Sequence, residues 1–147
     1  MSSAGSGDAC FLCAAAVGGG DDLVVAGDAT TITLLNRFPY NTGHLLVAPV
    51  EHVHDLLAAG DDCAAALMVG ARRAMRALDL ALSPDGFNVG VNHGASAGAS
   101  IEHVHLHVVP RWRGDTNYMP VIGGTKVLPE LLEETATRVR AAFSALD

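Results

Sequence analysis

The sequence Gly98-Ala-Ser-Ile-Glu-His-Val-His-Leu-His-Val-Val-Pro-Arg-Trp112 carries the strongest pattern in the chain. Its three histidines, His103, His105 and His107, alternate with apolar residues, which is the period of a β-strand and not of a helix. All three imidazoles are therefore predicted to share one face of a strand, while the valines and the leucine between them point into a core. Pro110 is predicted to close the strand, since proline lacks the N–H that a sheet interior requires.

A face of three imidazoles has three possible uses. Two histidines separated by one strand residue can bind one metal ion, but the outer pair is roughly 13 Å apart at Cα, so one ion does not explain all three. A neutral imidazole is also a good nucleophile toward phosphorus and a good leaving group from it. The outward positions of a plain surface strand normally carry Thr, Lys or Glu. The pattern therefore favours covalent catalysis on a phosphoryl group.

A run of small residues, Asn92-His-Gly-Ala-Ser-Ala-Gly-Ala-Ser100, precedes the predicted strand. Small residues let backbone N–H groups approach an anion, and the hydroxyls of Ser96 and Ser100 add further donors. The run lacks the Gly-Lys-Ser/Thr ending of a P-loop and precedes a strand instead of a helix, so it predicts no Walker-type nucleotide site. A flexible connector is an equal alternative for the run alone. Beside the histidines it favours a phosphate site.

The segment His103-Val-His-Leu-His-Val-Val109 resembles the His-x-His-x-His-x-x signature of the histidine triad (HIT) superfamily of nucleotidyl hydrolases and transferases, in which x is hydrophobic. Flanking blocks are similar as well, namely Asn36-Arg-Phe-Pro-Tyr-Asn-Thr-Gly-His-Leu-Leu-Val-Ala-Pro49, Pro110-Arg-Trp-Arg-Gly-Asp-Thr-Asn-Tyr-Met119 and Lys126-Val-Leu-Pro-Glu130. The resemblance covers nearly the whole chain. It implies a nucleotide substrate and a homodimer.

The resemblance also implies a role for each matched polar residue. His105 attacks the α-phosphorus of a nucleotide, and His107 and Ser100 then stabilise the phosphate and help to protonate the leaving group. His44 supports the triad through hydrogen bonds between histidines, although by residue type alone it is more readily a core histidine. The residues expected to bind the substrate are Asn36, Asn92, Gly98, Ala99, Ser100 and His107. Asn92 is also an ordinary turn residue by type.

Ala99 departs from the Fhit-type and Hint-type hydrolases, which carry glutamine before the Ser or Thr. That amide can position the oxygen nucleophile and the leaving group, so its loss weakens attack by water and leaves room for a larger acceptor. Small residues here are similar to the diadenosine tetraphosphate phosphorylase branch, so the expected reaction is phosphorolysis of dinucleoside polyphosphates with inorganic phosphate as acceptor. The alternatives are a hydrolase of dinucleoside polyphosphates or nucleoside phosphoramidates, a nucleotide-binding module with little catalysis, and a hydrolytic zinc enzyme.

Cys10 and Cys13 have the Cys-x-x-Cys spacing with which two thiolates bind one tetrahedral ion. Two reduced thiols at a helix start are an alternative, as is a redox dithiol, although no strand precedes the pair as it does in thioredoxin-like proteins. Metal-binding members of the superfamily are similar here. The resemblance implies that His52, from a Pro-x-x-His turn, and His103 complete a structural zinc site. His54 is the competing candidate on the same turn.

The remaining elements follow from alternation and turn residues. Strands are predicted at 23–26, 31–35, 44–48 and 87–91. A long helix is predicted from an N-cap at Asp61 to about Leu82, and a last helix from Pro129. These elements predict an α+β fold, an antiparallel sheet of about five strands with two main helices. Trp112 is either a stacking platform for a base or a packing residue at a dimer surface.

Composition narrows the class of protein. The chain has 147 residues, which suffices for one core, and its net charge of −7 argues against a general binder of nucleic acid or membrane surfaces. No apolar run approaches the roughly 18 residues of a membrane span, and residues 1–8 lack the basic start of a signal peptide. We expect a cytoplasmic protein without a disulfide framework, with residues 1–7 disordered and a single domain over 8–147.

Overall fold

The computed structural model describes residues 10–18, 23–115 and 131–147. Five strands form one antiparallel sheet in the spatial order β1-β2-β3-β5-β4. They are β1 (Val24–Gly27), β2 (Thr31–Leu35), β3 (Leu45–Pro49), β4 (Gly86–Gly90) and β5 (Leu106–Arg111). Three helices accompany them within these residues, α1 (Phe11–Ala16), α2 (Asp61–Leu82) and α3 (Leu132–Leu146). The predicted α+β fold is confirmed. The short α1 is present in addition to the two main helices that were predicted.

The sheet lies between two hydrophobic clusters. Helices α2 and α3 pack on one face, where Leu67 and Val139 meet Val47, Leu106 and Val108 of the strands. Helix α1 covers the other face, where the smaller cluster contains Cys10, Leu12, Ile32, Leu34, Leu46 and Ala48. β2 and β3 are buried along their whole length, because they lie centrally in the sheet and are covered on both faces.

The alternation of the triad is confirmed on the apolar side. Val104, Leu106 and Val108 all lie in the cluster under α2 and α3, so the histidines between them face the α1 side of the sheet. Regular pairing begins only at Leu106, however, so His103 and His105 precede β5 instead of lying within it. The antiparallel pairing of β5 with β3 starts at Leu106, which pairs with Val47.

The prediction that Pro110 closes the strand is wrong, because β5 runs through it to Arg111. Pro110 pairs with Phe87 of β4, while the pairing of β5 with β3 has already ended at Val108. The carbonyl of Pro110 accepts a hydrogen bond from the Asn41 side chain. Since the N–H and C=O of a strand residue point to the same side, the missing N–H also faces this loop and not β4.

Three strands are shifted by one residue from their predicted ranges, at both ends. β1 starts at Val24 instead of Leu23, and β4 starts at Gly86, which pairs with Arg111 at the end of β5. β3 starts at Leu45, because the N–H of His44 is taken by the carbonyl of Asn41 in a turn. That turn leaves the His44 side chain buried at the end of the sheet.

The helices agree with the prediction except at their starts. Gly60, and not Asp61, is the N-cap of α2, and Asp61 lies in the first turn, where a carboxylate suits the helix dipole. The inner face of α2 carries the buried residues Leu67, Ala71, Ala74 and Leu78. Helix α3 begins at Leu132, and Pro129 lies outside the described residues, as does the predicted disordered segment 1–7. No helix in the described part of the chain is long and apolar enough to cross a bilayer.

Candidate active site

A cavity of about 540 Å³ opens beside the triad, between the β2–β3 loop and the loop that precedes β5. Six predicted site residues line it, namely Asn36, Asn92, Gly98, Ser100, His105 and His107. Its apolar rim is formed by Phe11, Phe38 and Ile101. Phe38 is 80% exposed, which leaves its ring open to a flat ligand. The cavity therefore combines an aromatic edge with a polar floor.

A second cavity of about 490 Å³ lies on the other side of His107. It is lined by residues of β4 and β5, including Asn88, Val109 and Arg111, and it shares Tyr40, Asn92 and His107 with the first cavity. His107 thus stands at the boundary of two spaces of similar size. A ligand that extends in both directions from one central group can occupy both.

The ring of His105 has one defined tautomer. Its Nδ1 lies 2.8 Å from the backbone carbonyl oxygen of His103, and a carbonyl only accepts hydrogen bonds. Nδ1 must therefore carry the proton, which leaves a lone pair on Nε2. The half-buried ring lines the first cavity beside Ser100. In the neutral ring of His105, Nε2 is consequently the nitrogen that keeps the lone pair.

His44 and His107 form a hydrogen-bonded pair with Nε2 of His44 and Nδ1 of His107 2.9 Å apart. The backbone N–H of Tyr40 donates to Nδ1 of His44 at 3.1 Å, so the proton of a neutral His44 must be on Nε2. That proton is donated to His107, whose own proton is then on Nε2. The chain of contacts therefore fixes both tautomers and presents an N–H from His107.

Burial keeps this pair neutral. His44 has no exposed surface, and its burial, followed by the charges of His107 and His105, lowers its pKa to about 3. Burial, with a smaller contribution from His105, also lowers the pKa of His107. Both rings are consequently neutral at pH 7. His107 then acts as a hydrogen-bond donor and not as a cationic acid.

Asn36 is placed at the cavity by two local bonds. Its side-chain oxygen accepts the N–H of Phe38 at 2.9 Å, and its backbone N–H donates to the carbonyl of His44 at 2.9 Å. Its amide nitrogen lies 3.5 Å from Nε2 of His44, which is too long to compete with the 2.9 Å contact to His107. The amide N–H groups of Asn36 are thus available at the cavity wall.

The small-residue loop differs from the predicted anion cradle. The N–H groups of Ala97, Gly98 and Ala99 all donate to carbonyls of Gly94 or Ala95 within the loop. Gly98 has a φ of +98°, a conformation that favours glycine, and a Cβ there would meet the Asn92 amide at 3.3 Å. These three N–H groups therefore shape the loop, and the polar groups beside His105 are Ser100 and Asn92.

Ala99 does not line the cavity with the other predicted substrate residues. It faces a smaller space of about 210 Å³, together with His54, Glu102, Ser100 and His105. The rival metal candidate His54 is exposed there, 3.7 Å from a carboxylate oxygen of Glu102. His105 and Ser100 border both spaces. A longer side chain at position 99 would therefore approach His105 from the side opposite Asn36.

The four predicted metal ligands come together at the N-terminal end of the triad. One donor atom from each of Cys10, Cys13, His52 and His103 lies within 4.8 Å of the others. Nδ1 of His103 is 3.2 Å from Sγ of Cys10, and Nδ1 of His52 is 3.1 Å from Sγ of Cys13. Ligand atoms around a tetrahedral zinc are about 3.3 to 3.8 Å apart. The described residues therefore fit one tetrahedral ion.

The tautomer of His103 also suits a metal. Its Nε2 is 2.9 Å from the carbonyl oxygen of Pro49, so Nε2 donates and Nδ1 keeps the lone pair that faces the cysteines. Burial lowers the pKa of His103, which keeps the ring in the neutral form that ligates metals. Burial and the neighbouring Cys10 raise the pKa of Cys13 to about 11, and a bound cation would favour its thiolate instead.

Asp115 is a site-associated residue that sequence reasoning missed. Its carboxylate accepts hydrogen bonds from Arg111, from the Trp112 backbone N–H and from the Asn41 side chain. These bonds, led by that of Arg111, lower the pKa of Asp115 to about 2. The residue lay in a block whose resemblance was recognised, but only the contact with Asn41, 74 positions away, shows what it holds.

The sequence is similar to known proteins along most of its length. The HIT domain family matches residues 19–114. A protein of Mycobacterium tuberculosis named AP-4-A phosphorylase is 47% identical over 116 residues, which are 78% of this chain and 60% of that protein. The match thus spans less than two thirds of that relative. An uncharacterised HIT-like protein of Saccharolobus solfataricus is 32% identical over 75% of this chain and 79% of its own length.

Solved structures agree with the fold. A zinc-bound histidine triad family protein from Mycobacterium smegmatis superimposes with a TM-score of 0.80 at 31% identity, over 93% of this chain and 94% of that one. A hypothetical histidine triad nucleotide-binding protein from Sulfolobus tokodaii gives a TM-score of 0.78 at 27% identity, over 93% of both chains.

Proposed function

The chain belongs to the histidine triad (HIT) family, and we propose that it is a nucleotidyl transferase whose nucleotide is carried on Nε2 of His105. The observation that supports this most directly is the tautomer of His105. The carbonyl of His103 keeps the proton on Nδ1, so the nitrogen available to the cavity is the unprotonated one. A ring fixed in this way needs no separate base before it attacks.

In the first step, the lone pair on Nε2 of His105 attacks the α-phosphorus of the substrate. The P–N bond forms, the bond from phosphorus to the bridging oxygen breaks, and the leaving group departs with the electron pair. The Nε2–H of His107 donates a hydrogen bond to that oxygen and stabilises its charge. The Ser100 hydroxyl and the Asn92 amide line the same cavity and are neutral donors for the non-bridging oxygens.

In the second step, an acceptor oxygen attacks the same phosphorus and the P–N bond breaks, which returns His105 to its starting form. Water must lose a proton on attack, but Nε2 of the neutral His107 already carries a proton and has no lone pair with which to accept another. Inorganic phosphate attacks with an oxygen that is already negative. The Nε2–H tautomer of His107 therefore favours phosphate as the acceptor.

The proposed substrate is a dinucleoside polyphosphate such as diadenosine tetraphosphate. Two cavities of about 540 and 490 Å³ meet at His107, and a substrate with a nucleoside at each end can use both. A polyphosphate leaving group is stable as an anion and needs only a hydrogen bond from His107. The relative named AP-4-A phosphorylase supports the same choice. Products would be ATP from the first step and ADP from the second.

We also propose one structural zinc ion per chain, held by Cys10, Cys13, His52 and His103. The set supplies four donors, which closes a tetrahedral site, whereas a catalytic zinc keeps one position open for water. A zinc ion there would stabilise the fold by tying α1 and the turn after β3 to the start of the triad. The zinc-bound relative from Mycobacterium smegmatis supports the proposal. The chemistry at His105 uses only the chain's own residues.

A homodimer is proposed on more general grounds. β4 is an edge strand of the sheet, and its Val89 is exposed beside the second cavity. Exposed sheet edges that carry apolar residues are sites of strand pairing between chains. Pairing of two β4 strands would bury this edge, and light scattering of the purified chain tests it.

The second candidate function is a hydrolase, in which water accepts the nucleotide from the same intermediate. Ser100 and His105 would have the same roles in it. Its substrates would include nucleoside phosphoramidates, whose amine leaving group requires a proton. A neutral His107 is a poor source of that proton, which is the observation against this candidate.

The proposal is tested with a panel of nucleotides assayed with and without inorganic phosphate. We expect diadenosine tetraphosphate to give ATP plus ADP in phosphate and little turnover without it. An adenosine phosphoramidate should react more slowly than diadenosine tetraphosphate. Equal rates without phosphate, with AMP as product, would favour the hydrolase. No turnover of any nucleotide, with binding retained, would favour a binding module.

A further inference from the structure

We infer that Asp115 is a positioning residue, which fixes the tautomers of His44 and His107 by anchoring Asn41 in the β2–β3 loop. The inference rests on the proposed function, because the tautomer of His107 matters only if its Nε2–H contacts the leaving group. The coupling runs from Asp115 through Asn41 to the backbone N–H of Tyr40 and then to the two rings. The links are hydrogen bonds, and the backbone of residues 40 to 44 connects them.

The first link is a multiply bonded carboxylate. Oδ1 of Asp115 accepts from Nη2 of Arg111 at 2.6 Å, and Oδ2 accepts from the backbone N–H of Trp112 at 2.9 Å. Oδ2 also accepts from the side chain of Asn41 at 2.8 Å. Arg111 is held in turn by Asn88 of β4 at 2.6 Å. The bonds to Arg111 and Trp112 therefore fix Asp115 to the end of the sheet independently of its contact with the loop.

The second link is Asn41, whose amide group donates two hydrogen bonds. One goes to Asp115 and the other to the carbonyl of Pro110 in β5, at 2.9 Å. The loop itself is exposed, with Phe38 80% and Tyr40 61% accessible. Exposed loops without such anchors are mobile. The two bonds of Asn41 thus tie an exposed loop to β5, the strand that bears His107, and to Asp115 beyond its end.

The third link is the backbone of residues 40 to 44. The carbonyl of Asn41 accepts the N–H of His44 at 3.1 Å, and the N–H of Tyr40 donates to Nδ1 of His44 at 3.1 Å. Without that donor, the proton of His44 is free to move to Nδ1. Nε2 of His44 then no longer donates to His107, and His107 is free to carry its proton on Nδ1. Its Nε2 would face the leaving oxygen with a lone pair instead of an N–H.

The direct test is the tautomer of His44 and His107 in ¹⁵N-labelled full-length protein, read from two-bond ¹H–¹⁵N correlations of the imidazoles. In the wild type we expect both rings as the Nε2–H tautomer at pH 7. Asp115→Ala and Asn41→Ala should each convert His44 and His107 to mixtures of tautomers. Asn41→Ala keeps Asp115 with Arg111, so it removes the loop anchor even if Asp115→Ala folds poorly.

The matched control is Asp147→Ala. Asp147 pairs with Arg73 at 2.6 Å, the same distance as the pair of Asp115 with Arg111, but it lies between α2 and the end of α3. Its removal should leave both imidazole tautomers as in the wild type. A tautomer shift in Asp147→Ala of the same size as in Asp115→Ala would overturn the inference, because a general loss of stability would then explain both.

The kinetic test uses aryl esters of AMP made with phenols of different acidity. In Asp115→Ala and Asn41→Ala, loss of the Nε2–H of His107 should lower kcat most for esters of the least acidic phenols, by roughly 10- to 100-fold. The kcat for esters of the most acidic phenols should fall least. The inference would be overturned if kcat of the variants fell equally for every ester while the tautomers of His44 and His107 stayed as in the wild type. If the wild type turns over no nucleotide, the proposed function fails, and the NMR result still decides whether Asp115 positions the two rings.

Discussion

The two ends of the triad give the same side chain different surroundings. His103 has its Nε2 bonded to a backbone carbonyl, which leaves Nδ1 facing two cysteines. His107 has its Nδ1 occupied by His44, which leaves an N–H on Nε2 facing the cavities. The middle ring, His105, is held by the carbonyl of His103 and keeps its lone pair on Nε2. The partner of the second nitrogen therefore decides what each histidine can do.

This comparison separates a region that stabilises the fold from a region that performs the reaction. The cluster of Cys10, Cys13, His52 and His103 should govern stability, whereas His105, His107 and His44 should govern the rate. His103 belongs to both, since its ring joins the cluster and its carbonyl orients His105. The first two predictions below each change one region and measure both properties.

The largest effect is expected for His105→Ala. Loss of the nucleophile should lower kcat by on the order of 10⁴-fold or more, because His107, the other imidazole among the described residues that line the main cavity, presents an N–H there and not a lone pair. His105 is half-buried, so the melting temperature should change little. Thermal unfolding and steady-state kinetics measure the two properties. Residual kcat within tenfold of the wild type would contradict the assignment.

His52→Ala changes the cluster of cysteines and histidines and leaves the reacting histidines intact. His52 is exposed and makes its contact through Sγ of Cys13, so its loss should weaken metal binding and leave the rings of His105 and His107 in place. We expect a lower melting temperature and a kcat within about threefold of the wild type at a temperature where the variant is folded. A larger loss of kcat than of stability would show that the two regions are not separable.

Removal of the metal should lower stability by a large amount. Elemental analysis of protein purified without chelator should find one zinc per chain, and Cys10→Ser/Cys13→Ser should lose it. The melting temperature should then fall by roughly 10 °C or more, since a structural zinc contributes directly to folding. Cys63→Ser is the matched control, because Cys63 lies in α2 away from the cluster and should keep the zinc. Zinc retained in the double variant would exclude these ligands.

The buried neutral histidines predict how stability depends on pH. The pKa of His44 is lowered to about 3, below the ordinary histidine value, so the unfolded chain binds more protons at acidic pH. The stabilisation is therefore present above about pH 6.5 and is lost as the pH falls toward the folded-state pKa. Between pH 6 and 5 His44 should contribute at most about 1.4 kcal/mol per pH unit to the decline in the free energy of unfolding.

His44→Gln tests that dependence by urea unfolding at several pH values. The amide does not titrate, so the variant should show a shallower decline between pH 6 and 5 than the wild type. The carboxylates of Asp28 and Asp115, whose pKa values are lowered, titrate below this window and do not disturb it. An unchanged slope would show that His44 is not the buried neutral group.

Much of this arrangement could be predicted from the sequence. Alternation in 103–108 indicated which residues pack in the core, and Val104, Leu106 and Val108 do so. The Cys-x-x-Cys spacing and the resemblance indicated the four residues that the structure brings together. The alternation and the Cys-x-x-Cys spacing are local signals, whereas His52 and His103 were indicated as ligands only by the resemblance.

The tautomers could not be predicted, because each depends on a partner from another part of the backbone. Pro49 orients His103 across 54 positions, and Tyr40 orients His44 only through the shape of a loop. The hydrogen bonds of the small-residue loop could not be predicted for a similar reason. Small residues permitted the N–H groups to face a phosphate, but three of them close hydrogen bonds within their own loop. Composition indicates what a loop can do and not which bonds it makes.

The smallest effect is expected at Ala99. It borders the lesser cavity on the far side of His105, so Ala99→Gln would bring an amide toward the reacting phosphorus from that side. Such an amide can hold a water molecule, and the products from diadenosine tetraphosphate should shift from ATP plus ADP toward ATP plus AMP. Ala97→Gln, on the exposed part of the same loop, is the control and should leave the products unchanged. Equal product ratios in both variants would show that the residue at position 99 does not influence the choice of acceptor.

The central claim is that the nucleotide is carried on His105, and trapping the intermediate tests it most directly. Wild-type protein mixed with substrate labelled in the α-phosphate and quenched in base should retain label that acid releases, which is the behaviour of a phosphorus–nitrogen bond to histidine. Mass spectrometry should place the adduct on His105, and His105→Ala should retain none. Label that persists in His105→Ala, or an adduct found on another residue, would contradict the account.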